Sequence, residues 1–253
     1  MCTVLLAFQK VAGWPLVVAN NRDEFFDRRA LPPRVYRAGR KGGRRWLACL
    51  DLSGGGSWWG YNDRGLMVFL TNRWIGDNYA PGSCSRGQLV LELLQFSEIN
   101  EAREGLGRIA VEHPFNPFNL LVTSRYQGFF SSNFPELHFC PLLPGYHYLG
   151  NGLLDGCSSM KARSARRLFA RLAIDGASLG CVLDSFMQAL RSPYPQDGIP
   201  PQGFNVSFDG YGTTSSLLLA VPETDNANLF LGYCDANPLR SQYRDYSALG
   251  QLL

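Results

Sequence analysis

The sequence predicts an α+β domain: two antiparallel sheets stacked face to face, with a pair of helices covering each outer face. Two observations carry this expectation. Strand-like and helical runs come in blocks (β-hairpins, two helices, four strands, two helices, a hairpin), whereas a doubly wound parallel fold alternates them. The strand runs are short, rich in Val, Leu and Phe, and several are joined by tight turns built on Gly or Asn-Asp. With 253 residues, 45% hydrophobic and 18% charged, the chain can bury a sizeable core. No shift in composition and no internal repeat divides it, so residues 1–253 are read as one domain.

Taken in order, Thr3–Gln9 and Leu16–Asn21 form an N-terminal β-hairpin, with Ala12-Gly13 in the link. Trp46–Leu52 and Ser57–Tyr61 flank the turn Gly54-Gly55-Gly56. The turn Asn62-Asp63-Arg64-Gly65 then leads into the strand Leu66–Asn72. The period changes after Ser85, a plausible N-cap: Leu89, Val90, Leu93, Leu94 and Phe96 fall close to helical spacing. A weaker helix covers Glu101–Glu112, held back by Gly105 and Gly107 and stopped before Pro114. Strands return at Asn119–Thr123, Gly128–Ser132, Glu136–Phe139 and Tyr146–Leu149, and helices follow at Ser158–Ala173 and Ser178–Arg191. The Pro- and Gly-rich segment Ser192–Gly203 reads as an exposed loop, and Thr213–Val221 with Asn228–Cys234 closes the chain as a hairpin.

Composition excludes several function classes. Net charge is +3, and Arg37, Arg40, Lys41, Arg44 and Arg45 form the one real basic cluster, interleaved with Gly39, Gly42 and Gly43. That pattern is an exposed loop, so no nucleic-acid partner is expected. The seven cysteines (Cys2, Cys49, Cys84, Cys140, Cys157, Cys181 and Cys234) are odd in number and never form CxxC, which argues against a disulfide framework and a zinc site. Most are expected to be reduced core thiols. With His113, His138 and His147 as the three histidines, and no HExxH spacing, neither a metal site nor a metal or organic cofactor is expected. No apolar stretch approaches membrane-spanning length and no cleavable signal is present, so the protein is read as cytoplasmic, without membrane insertion.

Four polar motifs sit at strand ends. Cys2 follows the initiator methionine directly. Trimming of Met1 would leave an α-amine, with a reference pKa of about 7.7–8.0, on the residue that carries the thiol. Hairpin geometry brings the end of the second strand, Asn20-Asn21-Arg22-Asp23-Glu24, beside the start of the first. Arg22 beside the thiol favours thiolate and Asp23 would orient the amine; the alternative is a surface charge cluster in a turn. Leu70-Thr71-Asn72-Arg73 and Gly150-Asn151-Gly152 each offer an Asn amide that either donates to a developing oxyanion or caps a strand. The hydroxyls of Tyr211-Gly212-Thr213-Thr214-Ser215-Ser216 either bind substrate or pair within the turn. No serine sits in a GxSxG elbow. Trp46, Trp58, Trp59 and Trp74, with Phe25, Phe26 and Tyr79, pack the core or line an apolar pocket beside Cys2.

Met1-Cys2, Asn21-Arg22-Asp23-Glu24, Gly55-Gly56-Ser57-Trp58-Trp59-Gly60, Leu70-Thr71-Asn72, Ser85-Arg86-Gly87, Phe118-Asn119-Leu120-Leu121, Asn151 through Asp155 and Tyr211-Gly212-Thr213 together resemble the NRDE family, also called the transport-and-Golgi-organisation-two family. The resemblance spans nearly the whole chain. Gly150 departs from it, because the family often has Ser before that Asn. The resemblance implies the N-terminal-nucleophile hydrolase-like fold, a four-layer αββα sandwich. More distantly the chain resembles the cysteine amidases of that superfamily, in which a terminal Cys attacks an amide, an Asp and an Arg lie close by, and Asn groups bind the oxyanion.

The expected activity is an N-terminal cysteine amidohydrolase cleaving a small acylated amide. Cys2, Arg22, Asp23, Asn72 and Asn151 are the expected catalytic residues, and Asn21, Trp59, Thr71, Tyr211 and Thr213 the expected substrate contacts. The alternative is a non-catalytic carrier of haem or an acyl lipid on the same fold, with Cys2 or a histidine as axial ligand. A structural adaptor is a weaker third reading. The expected partner is a small-molecule substrate or hydrophobic ligand; the oligomeric state is not legible.

Overall fold

The computed structural model describes residues 2–39, 43–76, 84–174, 177–194, 203–225 and 228–253. Met1, Arg40, Lys41, Gly42, Tyr79 and most of the Ser192–Gly203 loop therefore lie outside the described residues. In chain order the elements are β1 (Cys2–Val11), β2 (Trp14–Phe25), β3 (Ala30–Arg37), β4 (Arg45–Asp51), β5 (Trp59–Asn62), β6 (Met67–Asn72), α1 (Arg86–Leu93) and α2 (Ile99–Glu112). Then come β7 (Phe118–Thr123), β8 (Gly128–Ser132), β9 (His138–Pro141), β10 (Gly145–Leu149), α3 (Met160–Ile174), α4 (Leu179–Arg191), β11 (Tyr211–Val221), β12 (Phe230–Cys234) and β13 (Arg244–Asp245). A 3-10 turn over Ser247–Leu252 ends the chain. The class is α+β with two antiparallel sheets, as the block pattern predicts.

The chain forms two compact units, each discontinuous in sequence: Met1–Asp27 with Pro144–Ala248, and Arg28–Leu143 with Leu249–Leu253. The first holds a six-stranded sheet in the order β10-β1-β2-β11-β12-β13. Alternate residues of its central strands, Leu5 and Ala7, Val17 and Ala19, Leu218 and Ala220, face α3 and α4. The helices answer at helical spacing with Ala162, Ala165, Leu168 and Leu172 from α3 and Val182, Phe186 and Leu190 from α4. The Ser178 hydroxyl caps α4 by accepting from Cys181 N at 3.3 Å.

The second unit holds a seven-stranded sheet in simple sequence order, β3 to β9. Leu66, Val68 and Leu70 with Leu120, Val122 and Phe129 form the sheet side of its core, against Leu89, Val90, Leu93 and Leu94 of the α1 region and Ala102 and Leu106 of α2. The Asn62 turn is built as its residues predict. Gly65 has φ +80°, and buried Asn62 accepts from Arg64 N and Leu66 N, both at 2.9 Å, while donating to Leu94 O and Phe96 O. Gly56 meets the start of α1 backbone to backbone: Ser57 N donates to Gly87 O at 3.0 Å, and a Cβ on Gly56 would lie 2.6 Å from Gln88 N. Because both neighbours are main chain, Gly56→Ala is expected to destabilise the protein by about 1–3 kcal/mol. A urea melt at unchanged m-value reads this directly; an unchanged midpoint would show that the contact yields.

Several boundaries differ from expectation, for local reasons. β3 is absent from the sequence reading; its Pro32-Pro33 pair is incompatible with a central strand. It forms as the edge strand of its sheet, with the register against β4 shifting between Leu31 and Arg34, where the prolines fall. β5 begins at Trp59 instead of Ser57, since the Ser57 hydroxyl bonds Trp59 O at 2.6 Å and its N–H goes to α1. β9 starts at His138, two residues later than expected. Ser85 occupies the N-cap position of α1 without a side-chain cap bond. The β11–β12 hairpin does not close the chain: β13 adds a further edge strand. Arg37 and Arg45 face each other across the β3–β4 hairpin, and Arg44 and Arg45 both reach Asp63, at 3.4 and 3.8 Å.

Candidate functional site

The N-terminal hairpin fixes the centre of the site. β1 and β2 pair so that Cys2 lies opposite Arg22, Thr3 opposite Asn21 and Val4 opposite Asn20. On its other edge β1 pairs with β10, Val4 opposite Leu149, so residues 150 and 151 leave the ladder at the Cys2 end. Because strand side chains alternate, Cys2 and Arg22 share one face of the sheet, while Thr3, Asn21 and Asp23 share the face covered by α3 and α4.

Cys2 is half-buried. Burial pushes its thiol up from the ordinary value and the Asp23 carboxylate pushes the same way; the N-terminal charge first, then the Arg22 guanidinium and a hydrogen bond from the Asp23 backbone, pull it down without reversing the shift. Arg22 therefore acts in the expected direction, but desolvation wins and the thiol form is favoured. Arg22 is itself 4% exposed, and its guanidinium donates to the Thr214 hydroxyl at 3.0 Å. Thr214 is the extra residue of a bulge where β11 pairs with β2 between Thr213 and Ser215.

Asp23 is 1% exposed and its carboxylate is held from two elements. Lys161 Nζ, in the first turn of α3, lies 2.8 Å from Oδ2, and the Thr213 hydroxyl donates to Oδ1 at 2.7 Å. The same ammonium donates to the Thr3 hydroxyl at 3.0 Å and sits over the Tyr194 ring, 5.7 Å from its centroid. Tyr211 donates to the Asp23 carbonyl oxygen at 2.9 Å, and its phenol is pushed well up, by burial first and then by Asp23 and Cys2.

Asn151 follows β10 in a segment tied back at its far end. Asp155, at φ +55°, donates its N–H to Tyr148 O at 2.9 Å and accepts from Tyr148 N at 2.8 Å. Its second oxygen meets His147 Nδ1 at 2.7 Å. The Tyr148 hydroxyl occupies the place a Cβ on residue 150 would take, which accounts for glycine at the position where the resembled family often has serine. Burial raises the Tyr148 phenol to about 12.

The other expected substrate contacts divide by unit. Asn21 is fully buried; its amide donates to Leu190 O at 3.0 Å and its oxygen accepts from Ser216 at 2.6 Å, so it anchors β2 to α4 and β11. Thr213 donates to Asp23 and accepts from Val206 N at 2.9 Å. The hydroxyls of the last motif thus bond across to β2 instead of pairing within the turn. Trp59, Thr71 and Asn72 belong to the second unit. Trp59 is fully buried and stacks on Phe69 at 6.3 Å, which makes it a core residue. Thr71 is buried on β6, where it accepts from the Asn119 amide at 3.4 Å. Asn72 is exposed at the end of β6, opposite Phe118.

Lys161 is the residue the sequence reading missed. In the run Lys161-Ala162-Arg163 it looks like a solvated charge, yet it falls in register with Ala165, Leu168 and Leu172 on the buried face of α3. A lysine in phase with an apolar stripe was the available signal. The cysteines also correct an expectation: Cys49 and Cys234 are buried, but Cys140, Cys157 and Cys181 are exposed, and none of the seven forms a disulfide. Among the described residues no group of three His, Cys, Asp or Glu side chains is placed to hold a metal, and no helix is long and apolar enough to cross a membrane.

Comparison with solved structures shows the fold. A Caenorhabditis elegans N-acylethanolamine-hydrolyzing acid amidase ortholog superposes with a TM-score of 0.55 at 14% identity, covering 95% of this chain and 98% of that one. The C2A mutant of the conjugated bile acid hydrolase from Clostridium perfringens does so with a TM-score of 0.55 at 13% identity, covering 97% and 96%. The architecture is therefore the N-terminal-nucleophile hydrolase fold. In sequence, the chain is 28% identical over 168 residues to the Transport and Golgi organization protein 2 homolog of Bos taurus, 61% of this chain and 58% of that protein. The chain thus spans less than two thirds of the relative it matches. The family model of Transport and Golgi organisation 2 matches residues 1–230, and the chain belongs to that family.

Proposed function

We propose that the chain is a cysteine amidohydrolase whose nucleophile is Cys2. The observation that carries the reading is the register of the N-terminal hairpin, which sets Cys2 opposite Arg22, against the Asp23 backbone, at the end of β1 where the Asn151 segment leaves β10. The named activities of the two superposed proteins, an N-acylethanolamine amidase and a conjugated bile acid hydrolase, support the reaction class. A C2A mutant of the latter supports attention to a cysteine at that position.

A half-buried thiol whose ionisation is opposed by desolvation needs a base. Removal of Met1 supplies one, since the Cys2 α-amine then titrates near neutral pH. The amine takes the thiol proton, Sγ attacks the amide carbonyl carbon, and the C–N bond breaks as the leaving amine receives that proton. Water then hydrolyses the thioester and releases the acid. Asn151 is assigned to the oxyanion from its place beside the Cys2 end of β1; Asn72 is assigned the same role on sequence resemblance alone. Apolar acyl groups are favoured by the exposed aromatics of the same unit, Phe25, Phe26 and Phe208, the first in edge contact with Tyr211 at 5.2 Å.

The test is the intact mass of the purified protein before and after incubation with N-acyl amides of graded chain length. A mass lacking one methionine, followed by an acyl adduct on the Cys2 peptide, is the expected result. Retained methionine with no adduct on Cys2 overturns the proposal. The same exposed aromatics favour the second reading, a carrier of haem or an acyl lipid. A haem titration with neither a Soret shift nor saturation removes the haem version.

A further inference from the structure

We propose that Lys161 is a positioning residue of the Cys2 site, tying the ends of β1 and β2 together through Thr3 and Asp23. The inference rests on the reading of Cys2 as the reactive centre. Lysine is almost never fully buried unless paired, yet Lys161 is 6% exposed. A buried ion pair is weak evidence for stability, because well-packed apolar residues of similar volume often serve as well or better. What this pair supplies is placement. Its three partners are Asp23 Oδ2 at 2.8 Å, Thr3 Oγ1 at 3.0 Å and the Tyr194 ring at 5.7 Å. Thr3 follows Cys2, and Asp23 follows the Arg22 that pairs with Cys2. One ammonium thus grips both strands immediately beside the Cys2–Arg22 pair. Thr213 adds β11 to the same carboxylate.

The arrangement also balances charge. The titratable and charged groups around the site are the N-terminal amine, Arg22, Asp23 and Glu24 from β2, Tyr211 from β11, Tyr148 from β10, Tyr194 and Lys161. Asp23 opposes ionisation of the Cys2 thiol. The ammonium 2.8 Å away offsets part of that charge. Without it, the carboxylate acts more strongly on Cys2.

The experiment is the pH dependence of Cys2 alkylation by iodoacetamide, read on the Cys2-containing peptide by mass spectrometry because exposed thiols elsewhere also react. Lys161→Met is expected to move the midpoint up by about one pH unit, and Lys161→Arg, which keeps the charge, to leave it within a few tenths. Lys161→Met combined with Asp23→Asn is expected to return it towards the parent value. An unmoved midpoint in folded Lys161→Met overturns the proposal. Should that variant fail to fold, Asp23→Asn is compared with the double variant. A lower midpoint in Asp23→Asn, where the ammonium stands alone, supports the inference; equal midpoints overturn it. No step requires turnover, so a Lys161-dependent profile in a protein that forms no acyl adduct sinks the amidohydrolase reading alone.

Discussion

Asp23→Ala is expected to destabilise the fold by about 3–5 kcal/mol, the largest loss of any single substitution at the site. The reason is what stays behind. Lys161 is held on α3 with its ammonium at 6% residue exposure, and removing its carboxylate partner leaves a positive charge in a desolvated place with Thr3 and the Tyr194 ring as remaining partners. The Thr213 hydroxyl loses its acceptor at the same time. Replacing both charges, as in Asp23→Ala with Lys161→Met, is expected to recover much of the loss, since the desolvation cost leaves with the charges. Urea unfolding of the parent, both single variants and the double variant closes a thermodynamic cycle. An Asp23→Ala midpoint within error of the parent would mean that water reaches Lys161 and that the pair is not buried in solution.

Cys2→Ala is expected to do the reverse: abolish chemistry and leave stability nearly unchanged. Losing the nucleophile of a covalent mechanism costs about 10⁴-fold or more in turnover, and the acyl adduct has no atom on which to form. The side chain is half-buried at the first position of β1, so trimming it to a methyl group removes little packing. The two variants together separate the roles of adjacent groups. A folded, inactive Cys2→Ala places the chemistry on the sulfur, and an unstable Asp23→Ala places the architecture on the carboxylate. Hydrolysis at parental rate by Cys2→Ala would dismiss a cysteine mechanism altogether and turn attention to the exposed aromatics at Phe25, Phe26 and Phe208 as a ligand surface.

Most elements of the fold were legible because the signals that set them are local. Strand alternation places Val17 and Ala19 on one face and Leu16 and Val18 on the other, and the residues concerned are neighbours in the chain. The Asn62–Gly65 turn likewise depends on four consecutive residues. Local signals also misled where a non-local term outweighed them. Pro32-Pro33 forbids a central strand, but β3 is an edge strand whose register slips at the prolines.

At the site the same division holds. That Cys2, Arg22 and Asp23 lie together follows from a hairpin whose two strands are separated by a short link, so the sequence by itself determined the neighbourhood of the thiol. The sequence also carried the family, through an ordered set of motifs spread along nearly the whole chain. Only the tertiary structure decided what the Asp23 carboxylate holds. Lys161 lies 138 residues away, and although its phase with the apolar stripe of α3 marks it as buried, nothing local names its partner. It is chosen by the rotation of α3 on the sheet, which buries position 161 with Ala165 and Leu168. Burial likewise sets the direction of the Cys2 thiol's shift against the pull of Arg22, because desolvation depends on everything packed around an atom and on nothing that its immediate neighbours in sequence can report.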